Sequence, residues 1–492
     1  MTVTLLTAQK HSDAPTLIIA LIKNADLASK LAEICTTYDL SFDAVSKDFK
    51  AEFKENLVLY STKGNKIYLL GLGAVAGFAE TQTAFRSLIF QQKARLSEHV
   101  ALIFNHHQFS PEQEVICTEA GLNGTLLGRY DIGLFKTEKN GVPYSFQQNT
   151  AKLDIHSDCI SQKIVEKVEI IAHTQAQILT LMNSPANKVT PQTLGDWAKK
   201  SGEANGFSVE VMDFKTITEK GLFALLAVNQ GSELEPTFIV MEYLPKTDKK
   251  LKKIGLIGKG VTFDTGGISL KDSTGMHYMK SDMGGAAAVL GTMQVAAKLQ
   301  LPVHLVAAIP ATENCVDGKS VKPGDIIGSY LGKTIEVIDT DAEGRLILAD
   351  GLAYINKNFQ PDVLIDLATL TGSVIRTLGY TAAGLFTNND ELAHQLTQVG
   401  EKCGERLWRL PLWDSYLDDI KSDVADLRNF SGKPTAGAIS AAKFLEVFTE
   451  KHPAWAHLDI AGTAFGDSEF SSQKSATAYG IRLLTEYLIA LE

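Results

Sequence analysis

Between Ile335 and Asp350 the chain reads IEVIDTDAEGRLILAD, with three acids, Asp339, Asp341 and Glu343, crowded into its middle. The β-branched run Ile335, Val337 and Ile338 ahead of them predicts a strand, and the apolar spacing of Leu346, Leu348 and Leu352 behind them predicts a helix. Carboxylates packed this closely repel one another unless a cation neutralises them. The crevice beyond a strand's carboxyl end is also where open α/β sheets bind ligands. A second group lies upstream, in GKGVTFDTGGISLKDSTGMHYMKSDMGGAAA from Gly258 to Ala288. Lys259 and Asp264 sit on the glycine-rich segment leaving the predicted strand Ile254–Ile257, and Asp282 immediately precedes a predicted helix that starts at Met283. Asp264, Asp282, Asp341 and Glu343 carry four negative charges, which two divalent cations balance. Oxygen donors without histidine favour hard or borderline ions such as Mg²⁺, Mn²⁺ or Zn²⁺, and a pair of such ions suits metal-assisted hydrolysis.

Each of these residues also has a plainer reading. Asp282 could be a helix N-cap, Asp264 before Thr-Gly-Gly a turn aspartate, and Lys259 or Lys271 a surface lysine. Spacing alone leaves both sets of readings open. The glycine-lysine-glycine stretch is no phosphate loop, because the G-x-x-x-x-G-K-[ST] spacing is missing. His106 and His107, paired after the predicted strand His99–Asn105, read as a solvated loop rather than a metal site.

The elements that must hold these residues follow from the rest of the chain. Its 492 residues exceed what one hydrophobic core usually supports, so two domains are expected. Residues 1–155 alternate short apolar runs with amphipathic ones and read as a smaller α/β domain. Cys159–Met182 has helical spacing and the length of a connecting helix, stopped by Asn183-Ser184-Pro185, which places a linker at 156–185. In 186–492, predicted strands at Ile254–Ile257, Val303–Ile309, Val363–Leu367 and Trp455–Ile460 alternate with helices, which argues for a mostly parallel sheet covered by helices. The expected fold class is therefore two-domain α/β.

Apolar residues make up 45% and charged ones 21%, as in an ordinary globular protein. The net charge of −10 disfavours nucleic acid and anionic membrane as partners, since both call for a positive surface. The odd, scattered cysteines Cys35, Cys117, Cys159, Cys315 and Cys403 suggest reduced thiols. No leader-like start and no apolar run of membrane-spanning length is visible, so a cytoplasmic protein is expected.

The segments GKGVTFDTGGISLK, SDMGGAAA, TDAEGRLILAD and DLATLTG, in this order, closely resemble the leucine aminopeptidase (cytosol aminopeptidase) family. PGDIIGSYLGKTIEV, GAISAAKFL and WAHLDIAGT extend the resemblance over about residues 180–492. It implies a two-metal exopeptidase in which Lys259, Asp264, Asp282, Asp341 and Glu343 are metal ligands, with Asp264 and Glu343 bridging the ions. Lys271 and Arg345 match the family's catalytic positions. The resemblance implies that Lys271 stabilises the developing oxyanion and that Arg345 holds a bicarbonate acting as general base. Met279 and Thr369, Leu370 and Gly372 match positions lining the pocket for the first side chain, which implies leucine-like or broadly apolar specificity on peptide substrates. Family members assemble as hexamers, and a homohexamer is expected here. His457, in the HLD motif, looks like a core residue. Two positions depart from the family's pattern: Asp339 stands where asparagine is usual, and Asp272 where proline is common, directly beside Lys271.

Overall fold

The computed structural model describes residues 1–6, 12–104, 108–137, 143–248 and 250–491. His106 and His107 lie outside them. The chain divides into two compact units, Met1–Ala176 and Gln177–Glu492, and the division falls inside one long helix, Gln162–Asn183.

The first unit is built on a six-stranded sheet. In spatial order its strands are Thr2–Leu6, Lys152–His156, His99–Ile103, Thr16–Leu21, Lys66–Gly71 and Asn56–Tyr60. All pairings are parallel except the last, where Asn56–Tyr60 runs antiparallel. Thr16–Leu21 is buried along its whole length, as a central parallel strand covered on both faces must be.

The second unit carries a nine-stranded sheet whose centre is parallel. Trp455–Asp459, Val363–Ala368, Lys253–Gly258 and His304–Asn314 lie side by side, with Ala383–Thr387 and Thr237–Tyr243 antiparallel on the flanks. The chain bends at Lys259 and continues as Gly260–Asp264, still parallel to His304–Asn314 but shifted in register between Val261 and Phe263. Helices Gly284–Leu299 and Gly344–Phe359 pack on this sheet and are almost wholly buried. The strand and helix positions read from hydrophobic spacing in this unit match the observed elements to within a few residues.

The run at Ile335 is the exception. Only Ile335–Glu336 pairs, and it does so in a separate three-stranded sheet with Ile326–Ile327 and Leu427–Arg428. Ile335 and Val337 are fully buried in the same core as Ile347 and Leu348. Such burial contributes about 1.5–3 kcal/mol per side chain, against about 0.5–1.5 net for a ladder hydrogen bond, so packing rather than strand pairing decides the path. Past Glu336 the side chain of Asn429 takes the place of a partner strand: its Oδ1 accepts from Ile338 N at 2.8 Å and Asp339 N at 3.3 Å. Asp341 and Glu343 therefore stand on a clamped loop, not at the end of a central strand.

Candidate metal centre

The bend at Lys259 has a local cause. Lys259 N donates to Leu367 O at 3.0 Å and its carbonyl accepts from Ala286 N at 2.9 Å, so strand and helix backbones grip the residue from two sides. Its side chain, 3% exposed, brings Nζ to 2.7 Å from Asp282 Oδ2, 2.8 Å from Glu343 Oε1 and 3.1 Å from Thr369 O. Gly344 makes this reach possible, because a Cβ there would lie 2.6 Å from Lys259 Nζ. Asp282 is not an N-cap: the following helix is capped by no side chain, and Asp282 Oδ1 instead accepts from Thr369 Oγ1 at 2.8 Å.

Asp264 combines the two readings left open by the sequence. Its Oδ1 accepts from Gly266 N at 2.9 Å, as in a turn, and from Asn314 Nδ2 at 2.8 Å, while Oδ2 lies 2.8 Å from Lys271 Nζ. Lys271 also hydrogen-bonds Asp341. Asp264, Asp341 and Glu343 each offer an oxygen within 4.8 Å of the others. The acid-bearing loops are joined by Thr340, whose Oγ1 donates to Gly266 O at 2.7 Å and accepts from Ser269 N at 2.8 Å. The four carboxylates, gathered from distant positions in the chain, thus converge around two lysines.

The electrostatics are those of an under-neutralised cluster. Burial pushes the Asp282 and Glu343 carboxyls up, and neighbouring acids add to the push. Asp341 is raised to about 7 by burial and by Asp264 and Glu343, with Lys271 pulling the other way. Burial opposes the charges on Lys259 and Lys271, but the surrounding acids outweigh it and raise both. Buried Asp282 Oδ2 and Glu343 Oε1 share the single Lys259 ammonium, at 2.7 and 2.8 Å. One ammonium between two buried carboxylates leaves the four-acid cluster short of positive charge, and such a set fits divalent cations.

These residues open onto a cavity of about 570 Å³. Met279, Thr369, Leu370 and Gly372 line it, together with Lys259, Asp264, Lys271, Asp282 and Asp341. Asp459, fully buried behind them, holds the lining segment by accepting from Thr371 Oγ1 at 2.7 Å and Leu370 N at 3.2 Å. Arg345 is buried; its Nη1 donates to Asn429 O at 2.8 Å and its Nε has no acceptor. Asp339 Oδ1 accepts from Asp341 N at 2.9 Å, so the unusual acid shapes the loop. Asp272 is exposed on the cavity rim, and the ion pairs of Lys271 go to Asp264 and Asp341. His457 is buried in the core with Nδ1 2.5 Å from Asp366 Oδ1.

Sequence reasoning passed over Asn429, Asn314, Thr340 and Asp459. Each is a single polar residue acting across a long stretch of chain, and no local pattern marks such a residue; only the neighbouring motifs hinted at Thr340 and Asp459. A second set able to hold a metal, Asp13, His99 and Asp154, lies in the first unit. There His99 Nε2 is 2.9 Å from Asp154 Oδ2, which also accepts from Ser12 Oγ at 2.5 Å, and His99 Nδ1 is 3.5 Å from Asp13. These groups satisfy one another.

A largely parallel α/β sheet with a carboxylate-lysine cage at one end of a cavity has the donor set of a metal-dependent hydrolase. Residues 177–485 match the model described as the cytosol aminopeptidase family, catalytic domain. A probable cytosol aminopeptidase of Chloroherpeton thalassium is 40% identical over 486 residues, 95% of each chain, and one of Chlorobaculum tepidum is 51% identical over 327 residues, 66% of this chain and 64% of that one. Among solved structures, a tomato leucine aminopeptidase mutant superposes with a TM-score of 0.88 at 32% identity, covering all of this chain and 96% of that one. The bottromycin maturation enzyme BotP in complex with Mn gives 0.85 at 29% identity, covering 97% and 99%. The chain belongs to the cytosol aminopeptidase family, and it is a metal-dependent aminopeptidase of that class. No helix among the described residues is long and apolar enough to cross a membrane.

Proposed function

We propose that this enzyme removes leucine-like or broadly apolar residues from the N-termini of peptides in intracellular peptide turnover, using two divalent cations, Mn²⁺ or Zn²⁺. The carrying observation is the cage itself: Asp264, Asp282, Asp341 and Glu343 converge around Lys259 and Lys271, two lysines for four acids, and Asp264, Asp282 and Asp341 face a cavity walled by Met279 and Leu370. Asp264, Asp282, Asp341 and Glu343, with Lys259 as a neutral amine, would hold the cations. When bound, such ions polarise the scissile carbonyl and lower the pKa of a bound water.

The chain's own residues supply the rest. Lys259 must give up the proton that its acidic neighbours now hold on it before its amine can serve as a ligand. Lys271 keeps its charge and places an ammonium where the carbonyl oxygen turns negative. Arg345, whose Nε meets no acceptor among the described residues, has the donor needed to hold a bicarbonate, a general base. A free α-amino group, which internal peptide bonds lack, would be held at the cation-loaded cage, and this restricts cleavage to the N-terminus. The apolar wall discriminates by only ~1–3 kcal/mol per methylene, so several apolar first residues are accepted. A cytoplasmic homohexamer is part of the same reading, by analogy with the family, and light scattering on the purified protein checks it.

The test is hydrolysis of leucine p-nitroanilide, its loss in chelator and its return with Mn²⁺ or Zn²⁺. Protein with bound metal that cleaves no aminoacyl substrate would overturn the reading.

A further inference from the structure

Three cations line the cavity, and two of them are committed to its acids. Lys259 lies against Asp282 and Glu343, and Lys271 against Asp264 and Asp341. The third, Lys474, meets no carboxylate within 4 Å among the described residues. Its Nζ donates to Tyr380 Oη at 3.1 Å and lies 5.1 Å from the centroid of the same ring. Both residues are exposed, Tyr380 at 55%, whereas Lys259 and Asp282 are buried, so the pair marks the cavity's outer rim.

The rim lysine is held in place from behind. Ser475 and Ala476, next in the chain, are buried. Ala476 pairs with Phe465, which also lines the cavity, and its N donates to Asn183 Oδ1 at 3.0 Å. An exposed ammonium on an anchored backbone, with one hydrogen bond made and two donors to spare at the mouth of the cavity, is an acceptor-seeking group. The cavity is therefore polar end to end: acids at the buried end, and on the open rim Lys474 and Tyr380, with the exposed Asp272 making no ion pair with Lys474. The ligand complementary to that polarity has an amine at one terminus and an anion at the other.

We propose that Lys474 and Tyr380 form a carboxylate subsite, so that the preferred substrates are short peptides whose free C-terminal carboxylate reaches the rim. This rests on the aminopeptidase reading above. Long peptides, and short ones capped as amides, lose this contact while keeping those at the amine end. Arrival of the carboxylate also fixes the direction in which the peptide lies along the cavity.

The experiment compares Leu-Gly and Leu-Gly-Gly with their C-terminal amides, using leucine p-nitroanilide as a substrate without a carboxylate, on the Mn²⁺-loaded enzyme. At low salt, the wild type should favour the free carboxylate over the amide in kcat/KM by about threefold to fivefold for at least one length, the size of a solvent-facing ion pair. Lys474→Ala should bring that ratio to about one through KM. Lys474→Glu should take it below one, Tyr380→Phe should reduce it partly, and leucine p-nitroanilide turnover should stay within about twofold throughout. A wild-type ratio near one for both lengths, or a ratio unmoved by Lys474→Ala and Lys474→Glu, overturns the subsite. Failure of the wild type to cleave leucine p-nitroanilide would instead remove the aminopeptidase reading on which it rests.

Discussion

The two units of this chain use the same architecture to opposite ends. Each has a largely parallel sheet, and each gathers acids with a cation-forming side chain on or beside its interior strands. In the first unit Asp154 accepts from Ser12 Oγ and faces His99, and the cluster is complete within itself. In the second, Asp282 and Glu343 share one ammonium, that of Lys259, and the acids raise one another. Four acids around two lysines leave negative charge over, and that surplus shows where a ligand is expected. Acid content alone does not separate the two clusters; the charge left unbalanced does.

The sharpest way to break that contrast is to empty the cage. Glu343→Ala should abolish stoichiometric metal binding, read by elemental analysis, and lower leucine p-nitroanilide turnover by at least about 10³-fold. Arg345→Ala should keep the metal and lose about 10²–10³-fold in kcat, the size seen when one charge-stabilising group is removed. The reverse pattern would exchange the roles of the two residues.

A smaller effect should come from the clamp. Asn429 lies outside every motif, yet its side chain accepts from Ile338 N and donates to Asp339 O and Ala342 O, on either side of Asp341. Asn429→Ala should weaken metal affinity by about 10–100-fold, as loss of an outer support typically does, while circular dichroism stays unchanged. Full metal affinity in that variant would show that the loop holds its own shape.

How much of this the sequence carried follows from where the information sits. The acids, Lys259 and Lys271 fall in compact motifs, so a reading of neighbours found them and the geometry brought them together. The central parallel strands were legible because strands buried on both faces are continuous apolar runs. The run at Ile335 misled for the same reason: buried β-branched residues spell a strand whether they pair or merely pack. Asn429 was silent and Asp459, though inside a legible motif, showed no role, because such a polar residue gains its meaning from a partner about ninety positions away.

A buried acid with satisfied oxygens gives a test by pH. Asp350 accepts from Tyr330 N at 2.8 Å and Leu225 N at 3.0 Å, yet burial raises it to about 7. Its unfolded value is about 3.9, so the folded chain binds the proton more tightly. The stabilisation is then fully present below about pH 4 and is lost as pH rises through 7. It amounts to a few kcal/mol at most, since each tenfold gain in proton affinity contributes ~1.4 kcal/mol. Asp350→Asn should flatten the fall in melting temperature between pH 5 and 8. An unchanged slope would place that titration elsewhere.

The smallest effect belongs to the self-contained cluster. Asp154→Asn keeps one acceptor oxygen for Ser12 or His99 and removes the charge, so it should cost about 1–2 kcal/mol, a fall of a few degrees in melting temperature for a unit of this size. Because nothing in that cluster waits for a ligand, metal content and leucine p-nitroanilide turnover should both equal those of the wild type. If Asp154→Asn instead removed a bound equivalent of metal, the two clusters would be alike after all. Charge balance would then no longer separate a self-contained cluster from one that awaits a ligand.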